Sequence, residues 1–336
     1  MDMAATIQDV ANKAGVSQST VSKAMNGTSP VSDATMKKIQ KAAKELGYQP
    51  SAIARSFKTR STYQIIFLAD FPFDAAFVNP HLFEIMRGVQ HTLSKNGYAL
   101  VMQQATAKDI CSIVETAYGQ HKADGFVLHM SVVTKKLADV LNKLAIPHIV
   151  IGKPGFDTRM CWIDTDNTLS GEIAAAHLIE KGYTALAFVG GRPDDMTCWR
   201  RLQGVRTTLR EHEMDLPQTH VLKTNSSLAD GNHAVKKLLK MSPAPQAVIC
   251  ANNPISLGVM QALQDRGIRI PADIALVTFD TYPFSVYTEP QMTVVDINMY
   301  EMGQEAGRLV LQKIKHPKRQ IQSFTTTPVL IQRGTT

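Results

Sequence analysis

The sequence predicts a small all-α helix-turn-helix domain followed by an α/β core of two parallel-sheet subdomains. Three observations carry this reading. Residues 6–23 hold two helical apolar stripes joined by Gly15-Val16-Ser17. From Gln64 onward, short apolar runs alternate with amphipathic helical windows. The roughly 275 residues of that second region exceed what one parallel sheet usually needs, so two are expected.

The first helix opens at Thr6, which forms a near capping box with Asp9, and Ile7, Val10, Ala11 and Ala14 then repeat at helical spacing. Gly15 stops it. Ser17 can accept from the backbone N–H groups of the next helix, in which Val21, Ala24 and Met25 point inward. Gln18, Ser19, Thr20, Ser22 and Lys23 then face outward as a polar recognition surface. A third helix is expected after a Ser32 cap, with Met36, Ile39, Ala43 and Leu46 inside and Lys37, Lys38, Lys41 and Lys44 outside, ending at Gly47. Residues 1–61 hold nine Lys and Arg against four Asp and Glu, a net +5 of the chain's +7. The positive charge therefore sits where phosphates would be met.

In the core, strands are predicted at 64–69, 98–103, 125–129, 148–152, 185–190, 247–251, 274–279 and 292–295. Helices are predicted at 81–96, 109–120, 134–144, 167–181, 199–213, 229–240, 255–267 and 298–315. A hydrophobic content of 44% fills sizeable cores, and 19% charged residues is ordinary for a globular protein. Cys111, Cys161, Cys198 and Cys250 lie far apart and read as reduced core residues, with no metal spacing. No cofactor is expected. No leader pattern and no apolar stretch of membrane-spanning length is seen, so the expected location is the cytoplasm, with nucleoid association through DNA and no membrane partner. Gly190-Gly191-Arg192-Pro193 is followed by neither a Gly-x-Gly-x-x-Gly motif nor a Walker lysine, and no nucleophile elbow or metalloprotease motif occurs. The chain is not expected to be an enzyme.

The opening Thr6-Ile7-Gln8-Asp9-Val10-Ala11, the turn Gly15-Val16-Ser17, Thr20-Val21-Ser22-Lys23, Asn26-Gly27, Val31-Ser32, Leu46-Gly47-Tyr48-Gln49-Pro50 and Ala54-Arg55-Ser56 closely resemble the LacI/GalR family of bacterial transcription regulators. The resemblance implies a DNA-binding domain over 1–50, a hinge over 51–61, and an effector-binding and dimerisation core over 62–336 with the periplasmic-binding-protein architecture. Its N-subdomain is placed at about 62–163 and 293–323, its C-subdomain at about 164–292 and 324–336, with crossings near 162–166, 290–294 and 322–326. DNA contact is expected from Thr6, Ser17, Gln18, Ser19, Thr20, Ser22, Lys23 and Asn26, and from Ala54, Phe57 and Lys58 of the hinge. Gln18 suits an adenine edge and Lys23 guanine acceptors. Relatives usually carry arginine where Lys23 stands, so a two-point fork becomes a single-point donor. They usually carry leucine where Phe57 stands; in the family that side chain wedges into the minor groove, and Phe is chemically suited to the same task.

A reader with three specifying side chains covers only a few base pairs, so a homodimer on a palindromic operator is expected. The effector is expected in the cleft at the carboxyl ends of the strands. Arg201 matches the family arginine that donates into the effector, and Asp280, after Ile274–Phe279, matches the aspartate that accepts from ligand donors. Asp166, Asn252, His81 and Trp162 complete the expected set, His81 standing where relatives often present an aromatic residue. Two carboxylates and one guanidinium suit a neutral polyol, which points to a sugar-responsive repressor of carbohydrate genes. A purine-type corepressor-dependent repressor, a DNA-binding domain fused to a sugar enzyme, and a constitutive architectural DNA binder are the alternatives. Lys23→Ala is expected to relax preference at one operator position by about 1–3 kcal/mol. The check is affinity for single-base operator variants: equal weakening on every sequence would make Lys23 a phosphate ligand instead.

Overall fold

The computed structural model describes residues 5–26, 31–48, 61–70, 80–192, 195–281, 285–317, 319 and 321–336. The chain divides into two units, Met1–Tyr63 and Gln64–Thr336.

The first unit holds α1 (Ile7–Ala14), α2 (Gln18–Asn26) and α3 (Asp33–Glu45). The capping box at Thr6 is complete: the Asp9 N–H donates to the Thr6 hydroxyl, and the Thr6 N–H donates to Asp9 Oδ2 at 2.8 Å. Gly15 ends α1 at φ +66°, a left-handed conformation that favours glycine. Val10, Ala11, Val21, Ala24, Ile39, Ala42 and Ala43 form the core of this unit. With so few buried side chains, precise helix caps matter.

The second unit has two lobes, each built on a six-stranded sheet. The N-lobe sheet runs β2 (Ala99–Gln104), β1 (Gln64–Ala69), β3 (Gly125–His129), β4 (His148–Ile151), β5 (Trp162–Thr165), β11 (Phe324–Thr326), with all neighbours parallel. The C-lobe sheet runs β7 (Val221–Lys223), β6 (Leu186–Gly190), β8 (Ala247–Cys250), β9 (Ala275–Phe279), β10 (Thr293–Asp296), β12 (Val329–Ile331), with only β12 antiparallel. Burial on both faces explains the continuous apolar runs: along β1, Ile65, Phe67 and Ala69 enter one core, while Ile66 and Leu68 enter the other.

Around the N-lobe sheet lie α4 (Pro80–Lys95), α5 (Ile110–Gly119), α6 (Lys135–Lys143) and α11 (Met299–Lys315). Around the C-lobe sheet lie α7 (Asn167–Glu180), α8 (Met196–Glu211), α9 (Leu228–Leu238) and α10 (Asn253–Gln264). The crossings depart from the predicted boundaries. Strand β10, expected in the N-subdomain from 293, pairs with β9 and stays in the C-lobe, so the second crossing follows Asp296. Strand β11, expected in the C-subdomain from 324, pairs with β5 in the N-lobe, as does the part of β5 beyond 164. The three crossings are stitched together at Thr165, whose hydroxyl contacts the Thr326 hydroxyl at 2.7 Å and the Ile297 carbonyl at 3.4 Å.

Three helix pairs approach through reciprocal glycines: Gly88 with Gly303, Gly171 with Gly204, and Gly231 with Gly258. A Cβ on Gly171 would lie 1.9 Å from the Arg201 carbonyl oxygen, inside any real contact. Gly171→Ala must therefore push α8 from α7, at a cost of about 1–3 kcal/mol or more. Urea denaturation checks this, and an unshifted midpoint would show that the pair is not tightly packed. A second expectation concerns His148, which is buried at the start of β4 with Nδ1 on the Ile146 carbonyl at 2.7 Å and Nε2 without a partner. Burial pushes its pKa down to about 4, with the charge of Lys313 acting in the same direction. The unfolded chain then binds more protons between pH 6.5 and 4, so this contribution is present above pH 6.5 and is lost as pH falls through that window. The loss approaches about 3 kcal/mol for a fully buried histidine. Stability measured across those pH values should fall less steeply in His148→Leu, and an unchanged slope would rule out His148 as the source.

Candidate functional site

The first unit presents the expected reading face. Gln18, Ser19 and Lys23 are exposed on α2, while Thr20 and Ser22 are half-buried. Ser17 accepts from the Thr20 N–H at 3.2 Å and lies within hydrogen-bond distance of the Ser19 and Thr20 hydroxyls. Thr6 is likewise held by its capping box. These two residues position α1 and α2, and Ser17 also engages the Ser19 hydroxyl, which leaves Gln18 and Lys23 as the side chains with the most freedom to reach outward. The Asn26 side chain, and Ala54, Phe57 and Lys58, lie outside the described residues.

In the second unit, a cavity of about 500 Å³ opens where the carboxyl ends of both sheets meet. His81 from the first turn of α4, His129 at the end of β3, Gly152 after β4 and Asp164 of β5 contribute from the N-lobe. Asn167 and Arg201, with Asp195, Asn225, Ser226, Asn252 and Asp280 after C-lobe strands, contribute from the other side. Four of the expected effector residues are thereby brought together: His81, Arg201, Asn252 and Asp280.

Two are not. Asp166 caps α7, with Oδ1 accepting from the Leu169 N–H at 2.9 Å, and the carboxylate that lines the cavity is Asp164. Trp162 lies two residues before Asp164, about 6–7 Å further from the end of the strand, and packs on the N-lobe core under the Lys153 ammonium at 5.5 Å. His129, Asn167, Asp195, Asn225 and Ser226 were not anticipated. Their sequence signal was positional, since each follows or ends a strand or caps a helix.

Arg201 is buried, and the hydration its charge loses is offset by specific partners. Its Nε donates to Asn167 Oδ1 at 3.0 Å, Nη1 donates to the Ala251 carbonyl at 2.7 Å, and the guanidinium stacks 4.1 Å from the Phe279 ring centroid. Burial lowers its pKa, opposed foremost by the charge of Asp280. Asp280 is held by its backbone, its N–H donating to the Val295 carbonyl at 3.0 Å and its carbonyl accepting from Asn253 Nδ2 at 3.3 Å. Its φ of +73° aims the side chain out of the strand line. Burial raises its pKa, against the lowering influence of His81 and Arg201. Asp280 Oδ1 is buried without a hydrogen-bond partner, an acceptor left open at a cost of about 1–3 kcal/mol.

Among the described residues, two contacts between ionisable side chains span the lobes. Arg200 Nη1 donates to Asp164 Oδ2 at 3.3 Å, and His81 Nδ1 lies 3.5 Å from Asp280 Oδ2. Burial raises the Asp164 pKa, opposed by the N–H groups of Lys153 and Thr165. His129 is pushed down to about 4 by burial and accepts the Ser131 N–H on Nδ1 at 3.2 Å, so it is neutral with its proton on Nε2. Asn252 caps α10 through Oδ1, which leaves its NH2 group to donate. The cavity therefore offers acceptors at Asp280, Asp164 and Asp195 and donors at Arg201, His129 and Asn252. Among the described residues there is no cluster of metal-ligating side chains, and no helix is long and apolar enough to cross a membrane.

Comparison with known proteins agrees with both units. Residues 6–51 match the bacterial regulatory proteins, lacI family, and residues 175–336 match the periplasmic binding protein-like domain. The ribose operon repressor of Escherichia coli (strain K12) is 31% identical over 333 residues, covering 98% of this chain and 99% of that one. The HTH-type transcriptional repressor PurR of Vibrio atlanticus (strain LGP32) is 30% identical over 337 residues, covering 98% of each. Among solved structures, the complex of the transcriptional regulator CelR with cellobiose aligns over 99% of this chain and 100% of that one, at 28% identity and a TM-score of 0.74. The lac repressor dimer on its operator, at 22% identity over 99% of both chains, shares the fold with a TM-score of 0.82. These relatives are transcriptional repressors and regulators rather than enzymes, and with such identity running along nearly its whole length this chain belongs to the LacI family of bacterial regulatory proteins, as a DNA-binding transcriptional regulator.

Proposed function

We propose that the protein is a homodimeric repressor of carbohydrate-utilisation genes, located in the cytoplasm and at the nucleoid through its operator, and released from DNA by a neutral sugar in the interlobe cavity. The observation that carries this reading is the buried, open acceptor at Asp280 facing the donors of Arg201 and His129 across a cavity of about 500 Å³. That volume lies within the usual range of about 300–1,000 Å³ for small-molecule sites. Hydroxyl groups both donate and accept, so a polyol satisfies such mixed surroundings without a net charge. The ribose repressor and the CelR–cellobiose complex support a sugar. The PurR relatives support a purine corepressor instead.

Dimerisation is assigned to the N-lobe edge. Strand β2 has one neighbour only and exposes Val101 and Met102, with Phe83 exposed on α4. An open edge strand bearing apolar side chains invites a second copy.

A thermal-shift screen of sugars and purines identifies the effector. Arg201→Ala leaves Asp280 without the arginine charge that acts on it, so effector affinity is expected to fall by at least about 2–5 kcal/mol. Because Arg201 also holds Asn167 and the Ala251 carbonyl, the variant should melt lower, whereas effector-free operator affinity should stay within a few-fold. Normal effector affinity by calorimetry would remove Arg201 from the site.

A further inference from the structure

The contact between His81 and Asp280 is unlike the other pair that spans the lobes. Arg200 donates a hydrogen bond to Asp164, and Asp164 also accepts from the N–H groups of Lys153 and Thr165. At the His81–Asp280 contact, Nδ1 and Oδ2 stand 3.5 Å apart, and neither His81 Nδ1 nor Asp280 Oδ1 has a hydrogen-bond partner although both atoms are buried. His81 belongs to the first turn of α4 in the N-lobe, and Asp280 follows β9 in the C-lobe. Charged groups bear on this contact from several elements. Arg201 comes from α8, Asp296 from the end of β10, and Asp164, Asp195, Arg192 and neutral His129 share the cavity wall.

We propose that His81 is a specificity-determining residue, which with Asp280 receives one ligand hydroxyl between the lobes and thereby selects a neutral hydroxyl-bearing effector over aminated or acidic analogues. The inference rests on the reading of this cavity as the effector site. The carboxylate of Asp280 only accepts, so the inserted group must donate to it. A bare Nδ1 lone pair would be repelled by the carboxylate it faces, so Nδ1 of His81 carries the ring proton, and this N–H must in turn find an acceptor on the same group. A hydroxyl does both. An ammonium group supplies the donor but no acceptor for His81, and a carboxylate supplies the acceptor but brings a second negative charge against Asp280. Geometry adds a consequence for regulation. Two hydrogen bonds of about 2.8 Å meeting at one oxygen near the tetrahedral angle place their outer atoms about 4.5 Å apart. Against the 3.5 Å of the direct contact, insertion widens the lobes by about 1 Å at this point. A shift of that size at a packed interface is enough to be passed on as a change of lobe orientation.

Two measurements on the full chain separate this proposal from the sugar reading. The first needs no ligand: thermal melting of wild type, His81→Phe, Asp280→Asn and the double variant. The two single losses are expected to differ clearly in sum from the double, because the residues contact one another. Strict additivity would overturn the pairing. The second is a thermal-shift titration with D-ribose, cellobiose, D-glucosamine and D-glucuronate as probes. Wild type should respond to a neutral probe at concentrations at least about tenfold below those needed for the aminated or acidic one, and His81→Phe should lose most of that discrimination. Preference of wild type for a charged probe, or discrimination unchanged in His81→Phe, would overturn the role of His81. If no probe shifts wild type while the melting cycle is non-additive, the sugar reading fails and the interlobe contact stands. If no probe shifts it and the cycle is additive, both fail.

Discussion

The C-lobe wall of the cleft depends on one buried guanidinium. An arginine out of water stays charged and needs fixed acceptors, and Arg201 finds them in Asn167 Oδ1 at the start of α7 and the carbonyl of Ala251 after β8. Those two partners and the ring of Phe279 tie α8 to three separate strand ends. The same stretch of α8 is the one that Gly171 lets approach α7, so backbone contact and charge burial impose one position on Arg201. Asp280 is then left facing a fixed cation with one oxygen open. A site whose open acceptor and donors are both set by the fold has little reorganisation left to do when a ligand arrives.

The reader was legible because its signals are local. A cap at Thr6, a left-handed glycine at 15 and a helical stripe at Val10, Val21 and Ile39 each act within a few residues, and together they leave little room for another fold. The long helices and the strands buried on both faces were legible for the same reason. The short strands β5, β7, β11 and β12 were not, since three or four partly exposed residues carry too little periodicity to be distinguished from loop. The lobe boundaries near 293 and 324 failed because they depend on which strands pair, a long-range fact absent from any window of sequence.

The cleft was half legible. Arg201 and Asp280 were named through the family resemblance, and both line the cavity. The exchange of Asp166 for Asp164 shows where such reasoning stops. In Asp164-Thr165-Asp166-Asn167 the strand ends and the helix begins, so alternation no longer predicts direction, and the capping demand of α7 takes the second carboxylate. Trp162 was misplaced by reach along the same strand. His129 has no residue signature at all; only the topology, which brings the end of β3 to the cleft, reveals it.

Regulation in such a chain requires that ligand contacts differ between two arrangements of the lobes. The crossings are stitched by Thr165, Ile297 and Thr326, which makes them a common pivot rather than three independent linkers. Beside that pivot Arg200 hydrogen-bonds Asp164, which also accepts the Thr165 N–H at 2.8 Å, whereas His81 and Asp280 meet across the lobes without a hydrogen bond. The pair with satisfied partners resists displacement, while the unsatisfied one gains hydrogen bonds from whatever enters it. That asymmetry gives a ligand a direction in which to move the lobes, and it arises from His81, whose ring nitrogen faces the Asp280 carboxylate from the other lobe without closing a hydrogen bond to it.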